Sequence, residues 1–94
     1  MTGIITTLGL KSSAELGMIL PHEHIFVDLR TWNTPGYAQA EVEEVLRLMV
    51  PEITRAQKVG VTAIVECSPV GVGRRADINR AVSEATNLPL VIPT

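Results

Sequence analysis

Hydrophobic positions along the chain form three short apolar runs, which two stretches of helical periodicity separate. The runs are GMIL leading into Pro21, VTAIVEC from Val61 to Cys67, and LPLVIPT at the end of the chain. VTAIVEC is apolar almost throughout, which is typical of a strand buried on both faces of a parallel sheet. Earlier in the chain, β-branched IITTL and GMIL flank turn-forming residues, and together they predict a short antiparallel β-hairpin.

The two periodic stretches carry apolar residues three and four positions apart, the spacing of one helical face. The first begins at about Gln39 and closes near Lys58, and Pro51 within it predicts either a kink or a break into two segments. The second contains Ile78 and is followed by Asn87, a candidate left-handed C-cap. The order strand, helix, strand, helix, strand predicts parallel pairing with right-handed crossovers.

Composition narrows the class of protein. Hydrophobic residues make up 46% of the 94 residues, which excludes disorder and favours a packed interior. The formal charge of −2 is scattered along the chain without a basic patch, so nucleic acid is not expected as a partner. No apolar run approaches the roughly 20 residues of a membrane helix, and no secretory signal pattern is visible. With Cys67 as its single cysteine, the chain is expected to be cytoplasmic and free of disulfides.

Both histidines of the chain lie in LPHEHIFVDL, after Pro21 and at the head of an apolar run. Because side chains alternate along a strand, His22 and His24 point to one side and can converge on one ion. They follow the first core strand, and functional groups of parallel α/β folds gather at the carboxyl ends of strands. Nearby Glu23 and Asp28 favour a metal site; the alternative is a hydrogen-bonded pair without metal.

Three stretches of the chain resemble, in order, the N-terminal part of the phosphotriesterase-related family of the amidohydrolase superfamily. They are TTLG with ELGMILPHEHIFVDL, GVTAIVECSPVGVGRRADI, and ATNLPLVIPT. The resemblance implies an α/β fold, the N-terminal three-strand, two-helix βαβαβ portion of a TIM-type (β/α)8 barrel preceded by a short β-hairpin. It also implies a divalent metal, usually zinc, as one or two ions with His22 and His24 as ligands. Later strands would supply a carboxylated lysine or glutamate, two histidines and an aspartate.

The implied chemistry is hydrolysis of a small-molecule lactone, carboxylic ester or phosphotriester by a metal-bound hydroxide. A complete barrel needs roughly 250 residues, so residues 1–94 are interpreted as a single incomplete domain, inactive by itself and without a catalytic residue of its own. The alternative from another class is a non-catalytic fragment that associates with other copies through open sheet edges.

Two residues at the end of VTAIVEC bear on the metal site. Glu66 stands where the family more often has aspartate, and it is interpreted as a carboxylate that orients a ligand or holds the loop, rather than as a third ligand. Cys67 is interpreted as a small core residue, because no third histidine exists to activate it as a nucleophile.

The loops offer two further candidates. GVGRR could form an anion site before the second helix, but a lone Gly-x-Gly is weak evidence, and a structural role with Arg74 paired locally is preferred. Trp32 and Tyr37 follow the histidines in a loop, where they either line a substrate pocket or are ordinary exposed aromatic residues.

Overall fold

Residues 3–93 are described by a computed structural model, and Met1, Thr2 and Thr94 lie outside the described part. Its strands and α-helices are β1 Ile4–Thr6, β2 Gly9–Lys11, β3 Met18–Glu23, α1 Val42–Lys58, β4 Val61–Glu66, α2 Ala76–Thr86 and β5 Leu90–Val91. Two single turns of 3₁₀ helix lie at Ser13–Glu15 and Val70–Val72. No helix within residues 3–93 is long and apolar enough to cross a membrane.

The three core strands form one parallel sheet in the order β3-β4-β5, which confirms the predicted βαβαβ arrangement. The strand predicted from VTAIVEC ends one residue early, at Glu66, and β5 occupies only the centre of LPLVIPT. The described chain buries a hydrophobic core between the sheet and the helices. Its members are Ile25, Val45, Ile53, Val61, Ile64, Ile78, Val82, Leu88 and Leu90.

A hairpin precedes this sheet as predicted, but the predicted partner was wrong. β1 pairs antiparallel with β2, with Ile4 opposite Lys11, whereas GMIL belongs to β3 and pairs with β4. Gly9, at a φ of +98°, supports the tight turn between the two strands, and the Thr6 hydroxyl donates to the Gly9 carbonyl at 2.7 Å. In such a short hairpin the turn determines which residues pair, so β1 pairs with β2, the segment directly after the turn, and not with the more distant GMIL.

Helix α1 begins at Val42, later than predicted, because its N-cap residue Glu41 has an extended backbone, with φ −81° and ψ 126°. Of the two alternatives predicted at Pro51, the break is wrong, because the helix continues to Lys58, and the kink stays a prediction. Pro51 lies on the exposed side, where water can satisfy the carbonyl that loses its N–H partner. Val45 and Ile53 on the opposite face are buried, and tertiary packing of such a face is what stabilises most protein helices.

Helix α2 ends at Thr86, and Asn87 is its C-cap as predicted. This residue adopts the left-handed conformation, with φ 54° and ψ 36°, and its N–H donates to the Ser83 carbonyl. The turn brings Leu88 and Leu90 into the core and directs β5 alongside β4.

Candidate metal centre

The carboxyl end of β3 carries the two histidines, His22 within the strand and His24 one residue beyond it. The register between β3 and β4 shifts there, because three steps from Leu20 to Glu23 oppose two steps on β4. The extra residue is a β-bulge, and bulges are found where a strand re-aims side chains beside a site. Pro21 lies within the shift, where its missing N–H is tolerated.

The imidazole rings of His22 and His24 lie side by side, with centroids 5.4 Å apart and ring planes at 81°. Two imidazoles on one tetrahedral zinc, each with a nitrogen about 2.0–2.1 Å from the ion, have centroids about 5 Å apart. Both side chains are exposed, so an ion can reach them. The pair therefore fits two ligands of one cation, and metal ligation by these residues stays a prediction.

His24 is held by a residue that sequence reasoning missed. The Oγ atom of Ser68 lies 2.8 Å from His24 Nδ1 and 3.2 Å from the Phe26 carbonyl oxygen, and Ser68 is fully buried. The available signal was its place two residues after β4, at the same edge of the sheet as the histidines.

Glu66 joins the ends of the two strands. Its carboxylate, 1% exposed, accepts the Ile25 N–H at 3.3 Å and the Ser68 N–H. The Cys67 N–H also donates to the Glu23 carbonyl at 2.8 Å, which extends the link between the two segments. Glu66 thus contacts the backbone beside His24, and its predicted effect on the metal stays a prediction.

The histidines lack neighbouring side chains that would complete a set of metal ligands among the described residues. Within residues 3–93 no group of three or more His, Cys, Asp or Glu side chains is placed to hold a metal ion. Cys67 is half-buried rather than in the core as predicted, with its sulfur 3.8 Å from the Pro21 carbonyl oxygen. The described residues therefore supply no third ligand of these types beside the two histidines.

Asp28, which sequence reasoning placed near the metal, is engaged elsewhere. Its carboxylate binds the Arg30 guanidinium through two hydrogen bonds of 2.9 and 2.6 Å and accepts the Ala38 N–H at 2.8 Å. The hydrogen bonds from the Arg30 side chain, followed by that from the Ala38 N–H, hold the pKa of Asp28 well below its usual range. Asp28 therefore closes the loop after β3.

The loop after β4 packs against this closed loop. The Asp28 N–H donates to the Val72 carbonyl at 2.9 Å, and a Cβ at Gly73 would lie 2.7 Å from the Asp28 nitrogen. The Arg74 guanidinium donates to the Pro93 carbonyl, while Arg75 binds the Asp77 carboxylate at 2.8 Å. Both arginines of GVGRR thus have partners, Arg75 nearby in the chain and Arg74 at Pro93 rather than locally, which favours the structural interpretation over an anion site.

The aromatic residues of the loop after β3 differ in their surroundings. Trp32 is 78% exposed, whereas the Tyr37 hydroxyl donates to the Val70 carbonyl at 2.8 Å. A role for Trp32 in a substrate pocket stays a prediction. A groove of about 370 Å³ opens at the other end of the sheet, away from the histidines. It is lined by Lys11, Glu15, Leu16, Gln57, Val61, Thr62, Asn87, Leu88 and Pro89.

Comparison with known proteins gives a consistent result. The model of the phosphotriesterase family matches residues 2–94. A phosphotriesterase homology protein of Mycobacterium tuberculosis is 30% identical over 96 aligned residues, which cover 100% of this chain and 29% of that protein. A mutant of an organophosphorus hydrolase from Deinococcus radiodurans has a TM-score of 0.81 at 29% identity, covering 96% of this chain and 27% of its own.

A mutant of a PTE-like lactonase from Deinococcus radiodurans superposes equally well. Its TM-score is 0.81 at 30% identity, with 97% of this chain and 28% of that chain covered. The chain therefore spans between a quarter and a third of the length of the relatives it matches.

Proposed function

The chain belongs to the phosphotriesterase family, and we propose that it forms the amino-terminal, metal-binding part of a hydrolase. Its substrate would be a small-molecule lactone, carboxylic ester or phosphotriester. Relatives described as an organophosphorus hydrolase and a PTE-like lactonase support this class of substrate. The observation that carries the proposal is the pair of imidazoles 5.4 Å apart at the carboxyl end of β3.

In the proposed site, His22 and His24 hold a divalent cation, zinc, through neutral ring nitrogens, with one or two ions in the complete protein. When bound, such a cation lowers the pKa of water toward about 7 and polarises the substrate oxygen that gains charge. The histidines transfer no proton themselves, because their ligating nitrogens are occupied. Glu66 keeps the backbone beside His24 in place, through its hydrogen bond with the Ile25 N–H.

The chain spans only about 28% of a related chain, which indicates that most of the barrel lies outside these residues. We propose that residues 1–94 are one incomplete domain of a (β/α)8 barrel, whose typical length is about 250 residues. The remaining metal ligands and the proton-transferring residue would then belong to later strands, with Trp32 at the mouth beside the substrate. We also propose a cytoplasmic location, in line with the single cysteine of the chain, Cys67.

The test is substitution of each histidine in the complete protein, the longer barrel proposed above. His22→Ala and His24→Ala should each lose metal, measured by mass spectrometry, and lose hydrolysis of lactone, aryl ester and phosphotriester substrates. Asn33→Ala, an exposed change in the loop after β3, is the matched control and should retain both. Unchanged metal stoichiometry and activity in the histidine variants would overturn the proposal.

A second candidate function is association of this chain through its sheet edge, without catalysis. Within residues 3–93, β3 pairs with β4 on one side and has no strand on the other. An open edge of this kind is a template for pairing with a second copy, which would give a homo-oligomer. Zinc-dependent hydrolysis by the complete protein separates this candidate from the first, because association through a sheet edge requires neither metal nor turnover.

A further inference from the structure

Ser68 has a hydrogen-bonding arrangement that a buried serine does not need for packing alone. Its hydroxyl lies between two groups, His24 Nδ1 at 2.8 Å and the Phe26 carbonyl oxygen at 3.2 Å. Its own N–H is bound by Glu66, whose second oxygen accepts the N–H of Ile25, the residue after His24. One carboxylate thus sets the distance between the serine and the histidine segment.

The number of protons in this cluster decides which way the bonds run. A serine hydroxyl has one proton to donate and lone pairs to accept, whereas a backbone carbonyl can only accept. The Ser68 proton therefore goes to the Phe26 oxygen, and the hydroxyl oxygen accepts from His24. His24 must then carry its proton on Nδ1, since a neutral imidazole has only one N–H.

We propose that Ser68 is a positioning residue that holds His24 in the tautomer protonated at Nδ1 and leaves Nε2 free as the metal-binding atom. The inference rests on the proposed function, because a ligand needs a lone pair directed at the ion. Partners that bind the second nitrogen of a ligating histidine fix its tautomer and ring orientation in many metal sites. Here the partner is a hydroxyl, itself oriented by Phe26 and Glu66.

His22 provides an internal comparison. Within residues 3–93 the His22 ring makes no side-chain hydrogen bond. It packs edge to face against the His24 ring, with the two ring centroids 5.4 Å apart. Ser68 should therefore act on one of the two ligands directly and on the other only through that contact. Removing the hydroxyl should free the His24 ring while leaving both imidazoles present.

The experiment compares Ser68→Ala with the unsubstituted complete protein. Zinc affinity is measured by competition with a chromophoric chelator, and the His24 ring is observed by ¹⁵N NMR in the metal-free protein. Ser68→Ala should weaken zinc binding by about 10–100-fold, as loss of such partners typically does, and should abolish the Nδ1–H signature of His24. Ser68→Thr keeps the hydroxyl and should bind zinc with an affinity close to that of the unsubstituted protein.

Ser83→Ala is the matched control, since Ser83 is also fully buried and hydrogen-bonded, to the Leu88 carbonyl, but contacts neither histidine. It should lower stability without changing zinc affinity or the His24 spectrum. If the unsubstituted protein binds zinc and Ser68→Ala binds it equally well, the inference is overturned while the proposed function stands. An unsubstituted protein that binds no zinc would overturn the proposed function, and the inference with it.

Discussion

Strands β3 and β4 are neighbours of equal length, six residues each, yet their burial is opposite. Within β4, Val61, Ala63, Ile64 and Glu66 are buried, whereas no residue of β3 is. The difference follows from position, because β4 lies between two strands while β3 has a strand on one side only. Burial in this chain therefore centres on β4.

The two strands contribute different kinds of residue to the candidate site. At the exposed end of β3, His22 and the residue just beyond the strand, His24, are accessible to solvent. The buried strand supplies Glu66 and, two residues later, Ser68, whose positions are set by the core. In the proposed site, the metal ligands would thus be accessible while the groups that position them are buried, an arrangement that suits metal binding.

The largest effect should come from making residues 1–94 alone. Burial of apolar surface contributes roughly 25 cal/mol per Å² to stability. The net stability of a domain is only about 5–15 kcal/mol, so the burial lost at an uncovered sheet face is enough to unfold it. We expect this chain to show no metal-dependent hydrolysis. We also expect light scattering to detect association or aggregation, because the free edge of β3 can pair with a second copy. A folded monomer with zinc-dependent turnover would break the comparison, since β3 would then need no cover.

Next in size is truncation of the buried strand in the complete protein. Ile64 is 3% exposed, and Ile64→Ala should cost about 2–5 kcal/mol of unfolding free energy through lost burial and a residual cavity. Leu48→Ala, at a position of α1 that is 57% exposed, should change it by no more than about 0.5 kcal/mol. Urea unfolding checks both, and equal costs would show that β4 is not the better buried element.

A smaller effect is expected where the loops after β3 and β4 meet. Gly73→Ala forces a side chain onto the Asp28 backbone at a φ of +89°, and such strain costs about 1–3 kcal/mol. Gly71→Ala is the matched control in the same Gly-x-Gly, because a Cβ there meets nothing within 4 Å. Thermal unfolding of the two variants should therefore differ, and identical midpoints would show that the loops do not make this close contact.

The smallest effect concerns the carboxylate that closes the loop after β3. Because the pKa of Asp28 is depressed in the folded state, its stabilising effect is present above its unfolded pKa of about 3.9 and is lost as pH falls through the lower folded value. Asp28→Asn should lower the urea midpoint at neutral pH, and the difference should shrink below about pH 4.

Asp77→Asn is the control for that measurement. Asp77 also binds an arginine, Arg75, but its side chain is 59% exposed, so solvent screening weakens the pair and the change should be smaller. An Asp28 effect that stays constant with pH would show that its charge is not what closes the loop.

Most features that depend on residues close together in the sequence were predicted correctly, whereas several that depend on distant residues were not. The strand in VTAIVEC and the Asn87 cap were predicted because apolar runs and left-handed caps depend on adjacent residues. The predicted hairpin partner, GMIL, was wrong because the turn decides which segment pairs with β1. The sequence does not show whether the chain turns at once, toward Gly9–Lys11, or later, toward GMIL. Of the kink and the break predicted at Pro51, the break was wrong because burial of the opposite helical face outweighed a local helix breaker. Ser68 was missed because its partner His24 lies 44 positions away.

The sequence alone determined the order of elements, the family, and the pair of histidines at a strand end, since each depends on residue types at short spacing. The tertiary structure decided which groups lie around the histidines and their loop: the Ser68 hydroxyl on His24, the Glu66 carboxylate across two strand ends, and the Arg30 guanidinium on Asp28. The physical reason is that parallel pairing brings the carboxyl ends of β3 and β4 together, and chain spacing does not encode which side chains then lie within hydrogen-bonding distance.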